Sequence, residues 1–328
     1  MSSIQLACKL LSQGNPVVMP TETVYGLASD ATQGMAVAKI YALKRRPQFN
    51  PLILHVSSLE EAEKWAIFSD SALKLATLFW KKKPFPLTLV LKRPASSLIS
   101  PLVTAGLETI AIRVPHHPVA LELLKAFPLP LAAPSANRSM GISPTTSSLV
   151  QKSLGKHTPF MLDGGPCQIG IESTIVDLTN DHQPVLLRPG GTPLEDLEKA
   201  LGQSLAIAQP NTTLKAPGMM KRHYAPCLPL RLNCSMAQSE EGFLGFGPTE
   251  NPRINLNLSP SGDLKEAAAN LFTMLNELDN PNLFKGIAVA PIPSFGLGLA
   301  INDRLERAAT ENEENLSLDL TDGLHPQA

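Results

Sequence analysis

Residues 17–28 read Val-Val-Met-Pro-Thr-Glu-Thr-Val-Tyr-Gly-Leu-Ala, a short apolar run followed at once by polar and turn-forming residues. The run 17–19 has the composition of a buried strand, and Pro20 ends it. The residues that follow bring two hydroxyls, a carboxylate and a phenol to the carboxyl end of that strand. Open α/β sheets bind ligands at such ends, so residues 20–28 form a candidate binding loop. The alternative is a loop whose hydroxyls only cap the backbone.

Short apolar runs and helical patterns alternate through the first two thirds of the chain. Runs rich in Val, Ile and Leu predict strands at 17–19, 52–56, 87–91, 109–114, 129–133, 173–178 and 185–187. Apolar residues at helical spacing predict an opening helix on Ile4, Ala7, Leu10 and Leu11, and further helices at 36–46, 59–65, 71–80, 118–127 and 194–201. The connections vary in length and prolines flank several strands. The pattern therefore favours an α/β fold with an open, twisted mixed sheet over a regular doubly wound one.

The alternation stops between 205 and 228, where Pro210, Pro217, Gly218 and Pro226 indicate an extended connector. Beyond it, strands are predicted at 243–246 and 286–290 and helices at 263–278 and 302–311, the first capped by Asp263. We therefore expect a first domain at 1–204, a linker at 205–228 and a second, small α/β domain at 229–328. The acidic tail from Asn312 is expected to fray.

The composition restricts the classes of function. The 328 residues include 28 Lys+Arg and 29 Asp+Glu, a net charge of −1, which argues against a protein that coats nucleic acid. Residues 1–130 hold 14 basic and 8 acidic residues, net +6, whereas residues 131–328 hold 14 and 21, net −7. This division fits an anionic ligand in the first half, and a solvated surface is the alternative. No apolar run reaches the roughly 18 residues of a membrane span.

Several familiar chemistries lack their sequence motifs. Cys8, Cys167, Cys227 and Cys234 form no CxxC pair, so zinc and redox motifs are absent. The chain has no GxxxxGK[ST] phosphate loop, no GxSxG elbow and no HExxH metal helix. The start lacks the basic and long apolar regions of an export signal, so we expect a cytoplasmic protein.

Two segments carry cations that need anionic partners. Lys44-Arg-Arg ends a predicted helix, where cations suit the negative end of the helix dipole. Prolines then impose an extended path that includes Asn50 and leads to His55, so the cations, Asn50 and His55 can form a fixed strip that clamps phosphates. In the predicted strand 109–114, Thr109, Ala111 and Arg113 share one face. Arg113 requires an anion, either a structural carboxylate or the carboxylate of a ligand.

Two later segments supply neutral hydrogen-bonding groups. Residues 132–145 combine small residues with Ser135, Asn137 and Ser143, which could read a nucleotide; a plain loop is the alternative. Ser173 opens one predicted strand and Arg188 closes the next, with structural capping as the alternative reading. Hydroxyls, cations and an amide without a covalent nucleophile suit phosphoryl or nucleotidyl transfer, in which catalysis is mostly positioning and charge stabilisation.

Together these segments resemble the YrdC-like family of threonylcarbamoyl-adenylate synthases. The matching pieces are PTETVYGLA at 20–28, KRRPxxNPLxxH at 44–55, TIAIRVP at 109–115, APSAN at 133–137, ESTIVD at 172–177 and LRPG at 187–190. Residues 217–226 are similar to the interdomain linker of the long, two-domain members, and residues 293–308 to the end of their second domain. The resemblance implies an open, twisted mixed sheet with a positively charged cavity, followed by a small Rossmann-like domain.

The resemblance implies a reaction of L-threonine, bicarbonate or CO2, and ATP that gives threonylcarbamoyl-AMP and pyrophosphate. Mg²⁺ would accompany ATP. Other, threonylcarbamoyl-transferring proteins would then modify tRNA beside the anticodon, so that tRNA is an indirect partner and no membrane is involved.

The resemblance also implies roles for individual residues. The threonine site would contain Thr23, His55, Arg113 and Ser173. The ATP site would contain Lys44, Arg46, Asn50, Thr109, Ser135, Ser143, Arg188 and, from the linker, Tyr224; our reading of the residues adds Asn137. Lys44 and Arg46 are the candidate catalytic residues. Many members carry Gly where this chain has Arg45.

Three other functions remain as alternatives. An RNA-binding module of this fold would need exposed aromatic residues, and the aromatic content is only 5%. A carbamoyl-transfer maturation factor would need cysteine-rich zinc pairs. A regulatory nucleotide-binding protein would bind ATP without turning it over.

Overall fold

The computed structural model describes residues 1–83, 85–209, 215–248 and 255–310. The first part of the chain forms a nine-stranded sheet in the spatial order β1-β2-β6-β3-β5-β4-β7-β8-β9. Its strands are β1 Val17–Met19, β2 Gly26–Asp30, β3 Ile53–His55, β4 Leu87–Lys92, β5 Thr109–Arg113, β6 Leu131–Ala132, β7 Thr174–Asp177, β8 Val185–Arg188 and β9 Ala206–Ile207. The pairs β3–β5, β4–β7 and β8–β9 are parallel and the others antiparallel. The predicted mixed sheet is therefore confirmed.

Eight α-helices accompany this sheet in the described residues. They are α1 Ser3–Ser12, α2 Gly34–Lys44, α3 Leu59–Ala62, α4 Asp70–Ala76, α5 Pro101–Thr104, α6 Pro118–Ala126, α7 Ser147–Leu154 and α8 Leu194–Leu201. A π-helical turn, Thr77–Lys82, continues α4, and a short 3-10 turn, Gly155–His157, follows α7. The opening helix begins with a capping box, in which Ser2 Oγ accepts the Gln5 N–H and Gln5 Oε1 accepts the Ser2 N–H.

The second part of the chain forms a small sheet of four parallel strands in the order β10-β13-β11-β12. The strands are β10 Leu230–Arg231, β11 Glu241–Gly245, β12 Leu256–Asn257 and β13 Gly286–Val289. Two helices, α9 Leu264–Leu278 and α10 Leu297–Ala309, pack with this sheet around an apolar core that also includes Val24, Ile142 and Ile171 of the first part. Asp263 caps α9 as predicted, with its carboxylate accepting the Lys265 N–H. The parallel α/β arrangement is the small Rossmann-like fold that was expected.

The two parts touch closely where α9 meets the first sheet's loops. Gly170 has a φ of +70°, and a Cβ at this position would lie 2.5 Å from the Ala269 Cα atom. Beside it, the Thr145 and Thr273 hydroxyls are 2.9 Å apart. Glycine is therefore required at residue 170 both by its backbone conformation and by the backbone of α9.

Some local predictions were wrong in their extent. Residues 26–28, read as part of a binding loop, belong to β2, which pairs with β1 in an antiparallel hairpin. The stretch 206–207 at the start of the expected linker pairs with β8 as the ninth strand. Helices α5 and α7, of four and eight residues, were not predicted. Residues 210–214 of the linker and the tail from 311 lie outside the described residues.

None of the helices in the described ranges is long and apolar enough to cross a membrane.

Gly190, which follows β8, allows no side chain. A Cβ there would lie 2.4 Å from the Glu172 carbonyl oxygen and 2.4 Å from the Thr174 nitrogen. We expect Gly190→Ala to lower the free energy of unfolding by about 2–3 kcal/mol, because the backbone must move. The matched control is Gly34→Ala at the start of α2, where a Cβ meets only the Ser100 Oγ atom at 3.4 Å. Urea unfolding should leave this control unchanged or slightly stabilised; equal midpoints for the two variants would contradict the expectation.

Candidate active site

A partly open cavity lies between the first sheet and the segment 217–224. Its lining comes from the loop after β1, the end of α2, the strands β3 and β5, the loops beside β6, β7 and β8, and the segment before the second sheet. The predicted site residues in this lining are Thr23, Arg46, His55, Arg113, Ser135, Ser173, Arg188 and Tyr224. The fold thus brings together residues that are up to 201 positions apart, from 23 to 224.

The sheet register places two of these side chains next to each other. His55 and Arg113 are the last residues of the parallel strands β3 and β5, and they are paired in register. The carboxyl ends of neighbouring parallel strands meet at one edge of a sheet, which is where α/β proteins bind ligands. The pairing explains why two separate sequence motifs contribute to one site.

Arg113 has both an internal carboxylate partner and access to the cavity. Its guanidinium forms an ion pair with Glu22, and each of these side chains is only 5% exposed. The second Glu22 oxygen accepts the His116 N–H at 2.9 Å, and Arg113 Nη1 donates to Thr23 Oγ1 at 3.2 Å. The Arg113 Nε atom is buried without a partner among the described residues. Both interpretations of Arg113 are therefore compatible with the site, because the guanidinium lines the cavity and its partners in the described residues use only two of its five N–H groups.

The turn after β1 is held by its own hydroxyls. Thr21 Oγ1 donates to the Val24 carbonyl oxygen at 2.6 Å and lies 2.8 Å from Thr23 Oγ1. Tyr25 points away from the cavity, because its hydroxyl lies 2.9 Å from Asp163 Oδ1 and 2.8 Å from the Gly165 carbonyl oxygen and donates its one proton to either of them. The hydroxyls of this loop therefore cap its own backbone, as in the alternative interpretation, and Thr21 and Thr23 also line the cavity.

His55 is neutral and has a fixed tautomer. Burial, together with the nearby Arg113 charge, lowers the pKa of His55 to about 3. Its Nδ1 atom lies 3.0 Å from the Ile53 carbonyl oxygen, which can only accept, so Nδ1 carries the proton. The unprotonated Nε2 atom is therefore the acceptor that remains for a ligand donor.

Two guanidinium groups dominate the other half of the cavity. Arg46 donates to the Pro51 carbonyl oxygen at 2.9 Å, and Arg188 donates to the Ser173 carbonyl oxygen at 2.8 Å and the Pro217 carbonyl oxygen at 3.2 Å. Burial lowers the pKa of Arg46 to about 10, which leaves it charged at neutral pH. Both cations are paired with neutral carbonyl groups, so they retain the capacity to bind an anion.

Five predicted residues do not line the cavity. Lys44 lies beneath the wall and donates to the carbonyl oxygens of Ser135, at 2.6 Å, and of Asn137. Asn137 Nδ2 donates to the Gly141 carbonyl oxygen at 2.8 Å, and Ser143 Oγ donates to Glu172 Oε1 at 2.6 Å. These three residues fix the loops that carry Ser135 and Glu172 and do not themselves form the wall.

The other two predicted residues outside the lining are Asn50 and Thr109. Asn50 Nδ2 contacts the Met220 Sδ atom at 3.2 Å, which ties the end of the cationic segment to the linker. Thr109 begins β5, opposite Lys92, and its Oγ1 atom is buried without a partner among the described residues.

Sequence reasoning missed four residues of this region: Glu22, Glu172, His223 and Arg304. Glu22 stood inside the predicted loop, but nothing in the sequence showed that it faces Arg113. Burial raises the pKa of Glu172, but the charges of Arg304 and Arg188 outweigh it and lower the pKa to about 2. His223 was adjacent to the predicted Tyr224. Arg304 lies 132 residues after its partner Glu172, and no local sequence pattern predicts an ion pair over such a separation.

No group of three or more His, Cys, Asp or Glu side chains within the described ranges could hold a metal ion.

Two family models match the chain. The model Sua5–YciO–YrdC, described as telomere recombination, matches residues 9–190, and the threonylcarbamoyl-AMP synthase C-terminal domain matches residues 192–310. The threonylcarbamoyl-AMP synthases of Pyrococcus abyssi and Bacillus subtilis are each 38% identical to this chain over 93% of its length, and over 94% and 92% of their own. The crystal structure of P. abyssi Sua5 complexed with L-threonine has a TM-score of 0.85 at 35% identity, and the match covers 94% of this chain and 95% of that one.

Two buried histidines make stability depend on pH. Burial lowers the pKa of both His55 and His223 to about 3, far below the value of about 6.5 in an unfolded chain. Between pH 3 and pH 6.5 the unfolded state binds more protons than the folded state. Burial of the two neutral histidines therefore costs no stability above pH 6.5, and the free energy of unfolding decreases as the pH falls below that value. We expect the two together to lower the free energy of unfolding by about 2 kcal/mol between pH 6 and pH 5.

Urea unfolding at both pH values measures this loss. His223→Gln should reduce it by about half, because only His55 then contributes. The same pH dependence in the native protein and in this variant would contradict the expectation.

Proposed function

The chain belongs to the Sua5–YciO–YrdC family of threonylcarbamoyl-AMP synthases, in its two-domain form, and we propose that its cavity joins L-threonine, bicarbonate or CO2, and ATP into threonylcarbamoyl-AMP and pyrophosphate. Enzymes of this family are transferases of the nucleotidyl type. One observation supports the assignment of substrates most directly: the buried guanidinium of Arg113 shares one cavity with the cations Arg46 and Arg188. A carboxylate and a polyphosphate can thus be bound side by side.

L-Threonine occupies the half of the cavity around Arg113 in this proposal. Arg113 binds the carboxylate of threonine, and Glu22 holds the guanidinium in place from the opposite side. The neutral Nε2 atom of His55 accepts a hydrogen bond from the ammonium group or the hydroxyl of threonine. Thr23 and Ser173 supply the remaining hydroxyl contacts.

ATP occupies the half around Arg46 and Arg188. Ser173 Oγ lies 3.3 Å from Arg188 Nη2, so the proposed threonine and nucleotide halves meet at this point. The α-phosphate would lie near this junction. Ser135, Tyr224 and the residues beneath the wall, namely Lys44, Asn50, Thr109, Asn137 and Ser143, complete or support the nucleotide half.

The chemistry follows from the two neighbouring halves. The deprotonated amine of threonine attacks CO2, so that a C–N bond forms as one C=O π bond opens, and the nitrogen then releases a proton to solvent to give a carbamate. A carbamate oxygen then attacks the α-phosphorus in line, a P–O bond forms, and the bond to the leaving pyrophosphate breaks. Arg46 and Arg188 stabilise the negative charge on the phosphates during this step, which is the main catalytic need in phosphoryl and nucleotidyl transfer. Lys44 contributes by fixing the loop of Ser135 from below.

Mg²⁺ is proposed as the companion of ATP. The acidic side chains near the cavity are already engaged, Glu22 by Arg113 and Glu172 by Arg304. The donors that remain suit an ion that is held mainly by phosphate oxygens, whose charge it neutralises.

The product and the compartment are further proposals. Threonylcarbamoyl-AMP is a reactive mixed anhydride, so a separate threonylcarbamoyl-transferring protein must consume it, and tRNA is met only at that later step. All four cysteines are free thiols, which fits the reducing cytoplasm. The RNA-binding and regulatory alternatives are not favoured, because the relatives that match nearly the whole chain are named threonylcarbamoyl-AMP synthases.

Pyrophosphate release tests the proposed reaction. We expect release by the purified protein with ATP and Mg²⁺ to require both bicarbonate and L-threonine, and to be much weaker with L-serine. The product should be identified as threonylcarbamoyl-AMP by mass spectrometry. Binding of ATP without release under any of these conditions would contradict the synthase and favour a regulatory nucleotide-binding protein.

Substitutions in the two halves should each raise KM, but for different substrates. We expect Arg113→Lys to raise KM for threonine about tenfold to a hundredfold, because Lys keeps the charge but cannot make the forked contact. Arg46→Ala and Lys44→Met should instead raise KM for ATP by about tenfold or more. Arg231→Ala, which removes an exposed ion pair of the second domain, is the control and should change neither constant. Unchanged kinetics in all three site variants would overturn the site assignment.

A further inference from the structure

Arg304 is a completely buried cation that the second domain directs at the catalytic cavity. It lies on α10, and none of its side chain is exposed. Its Nε atom donates to Glu172 Oε2 at 2.9 Å, and its Nη1 atom pairs with the neighbouring Asp303. Because Glu172 itself lines the cavity, this contact joins the second domain directly to the wall of the proposed nucleotide site.

Glu172 transmits this contact to a predicted ATP residue. Its other carboxylate oxygen, Oε1, accepts the Ser143 hydroxyl at 2.6 Å. The carboxylate therefore has one oxygen on the first domain and one on the second. Loss of the Arg304 contact would leave Glu172 free to turn, and the Ser143 hydroxyl would lose its fixed direction.

Arg304 also holds the aromatic ring of the linker. The centre of its guanidinium lies 5.0 Å from the centroid of the Tyr224 ring, within the range of a cation–π contact. On α9, Phe272 stacks on the same ring at 5.6 Å. Tyr224 has a φ of +62°, in the left-handed region that costs a non-glycine residue about 1–2 kcal/mol, so its backbone position depends on such outside support.

The same end of α10 holds the linker at two more points. Arg307, which pairs with Asp303, donates to the Met220 carbonyl oxygen at 2.6 Å. The Arg307 carbonyl oxygen accepts the His223 N–H at 3.2 Å. The linker residues around Tyr224 are therefore docked on the second domain, and Arg304 contacts two residues of the cavity wall, Glu172 and Tyr224.

Stability alone does not explain a buried pair of this kind. Removing two charges from water costs about as much as their attraction returns, and apolar replacements of such pairs are often neutral or stabilising. The best-supported benefit of a buried ion pair is that it selects one arrangement of the groups around it. The groups arranged here are Ser143 and Tyr224, both assigned to ATP in the proposed function.

We propose that Arg304 is a positioning residue of the ATP site, contributed by the second domain. Through Glu172 it directs the Ser143 hydroxyl, and by stacking it fixes the ring of Tyr224. The nucleotide half of the cavity is then complete only while the second domain is docked. This inference rests on the proposed binding of ATP in this cavity, but not on the identity of the amino acid that reacts.

The test compares ATP binding and kinetics in the full-length protein. We expect Arg304→Met to raise the dissociation constant and the KM for Mg·ATP about tenfold, while KM for threonine changes less than twofold. Arg304→Lys should give an intermediate value, because an ammonium can pair with Glu172 but cannot also provide the planar contact with Tyr224. Arg231→Met, in the exposed Arg231–Glu241 pair of the same domain, is the matched control and should behave as the native protein.

A double variant separates positioning from stability. Glu172→Gln combined with Arg304→Met removes both buried charges, so we expect the thermal midpoint to recover relative to Arg304→Met alone. The weakened ATP binding should persist, because Ser143 and Tyr224 still lack their support. Restoration of native ATP affinity in this double variant would overturn the proposal, as would an Arg304→Met protein with unchanged ATP affinity.

The outcomes distinguish this proposal from the proposed reaction. If the native protein binds ATP but releases no pyrophosphate with threonine and bicarbonate, the reaction is wrong, and the dissociation constants still decide the role of Arg304. If Arg304→Met fails to fold, Arg304→Lys and the double variant decide it in the same way. A rise in KM for threonine as large as that for ATP would show a general loss of structure and would contradict the specific role.

Discussion

The organisation of this protein depends on buried positive charge around one cavity. Arg46, Arg113 and Arg188 are each less than 9% exposed, and Arg304 is not exposed at all. A buried guanidinium is stable only when carboxylates, carbonyl groups or ligands surround it. Glu22 and Glu172 compensate two of these charges, whereas Arg46 and Arg188 rely on main-chain carbonyl oxygens. The surplus of positive charge prepares the cavity for a polyanion such as ATP and for the carboxylate of an amino acid.

The first sheet provides the rigid part of this arrangement. The parallel pairing of β3 with β5 sets His55 beside Arg113, and the antiparallel return of β8 along β7 brings Arg188 next to Ser173. Side chains at strand ends are held by the ladder of main-chain hydrogen bonds, so their spacing is fixed before any ligand binds. Such preorganisation is what nucleotidyl transfer requires, since catalysis depends on groups that are already in position.

The second domain supplies what the sheet cannot. A cavity open on one side would leave phosphates exposed to water, and the linker around Tyr224 covers that side. The described linker residues 215–228 form no helix or strand, and contacts with α9 and α10 hold them in place. This dependence gives a physical role to a domain whose fold alone implies none.

The sequence by itself determined most of the strands and helices that carry the site, the family, and eight of the eighteen residues that line the cavity. It could do so because a strand's apolar run and the polar residues at its end are local features, readable over ten or so positions. The edge strand β9, the short helices α5 and α7, and the partition between lining and supporting residues needed the structure. Lys44 and Ser143 illustrate this partition, because a side chain's direction depends on packing and not on its neighbours in sequence. The contacts of Glu22 with Arg113 and of Glu172 with Arg304 were decided only by the tertiary structure. These contacts join residues that are 91 and 132 positions apart in the sequence. Opposite charges attract in any order along the chain, so neither segment indicates which distant residue is its partner.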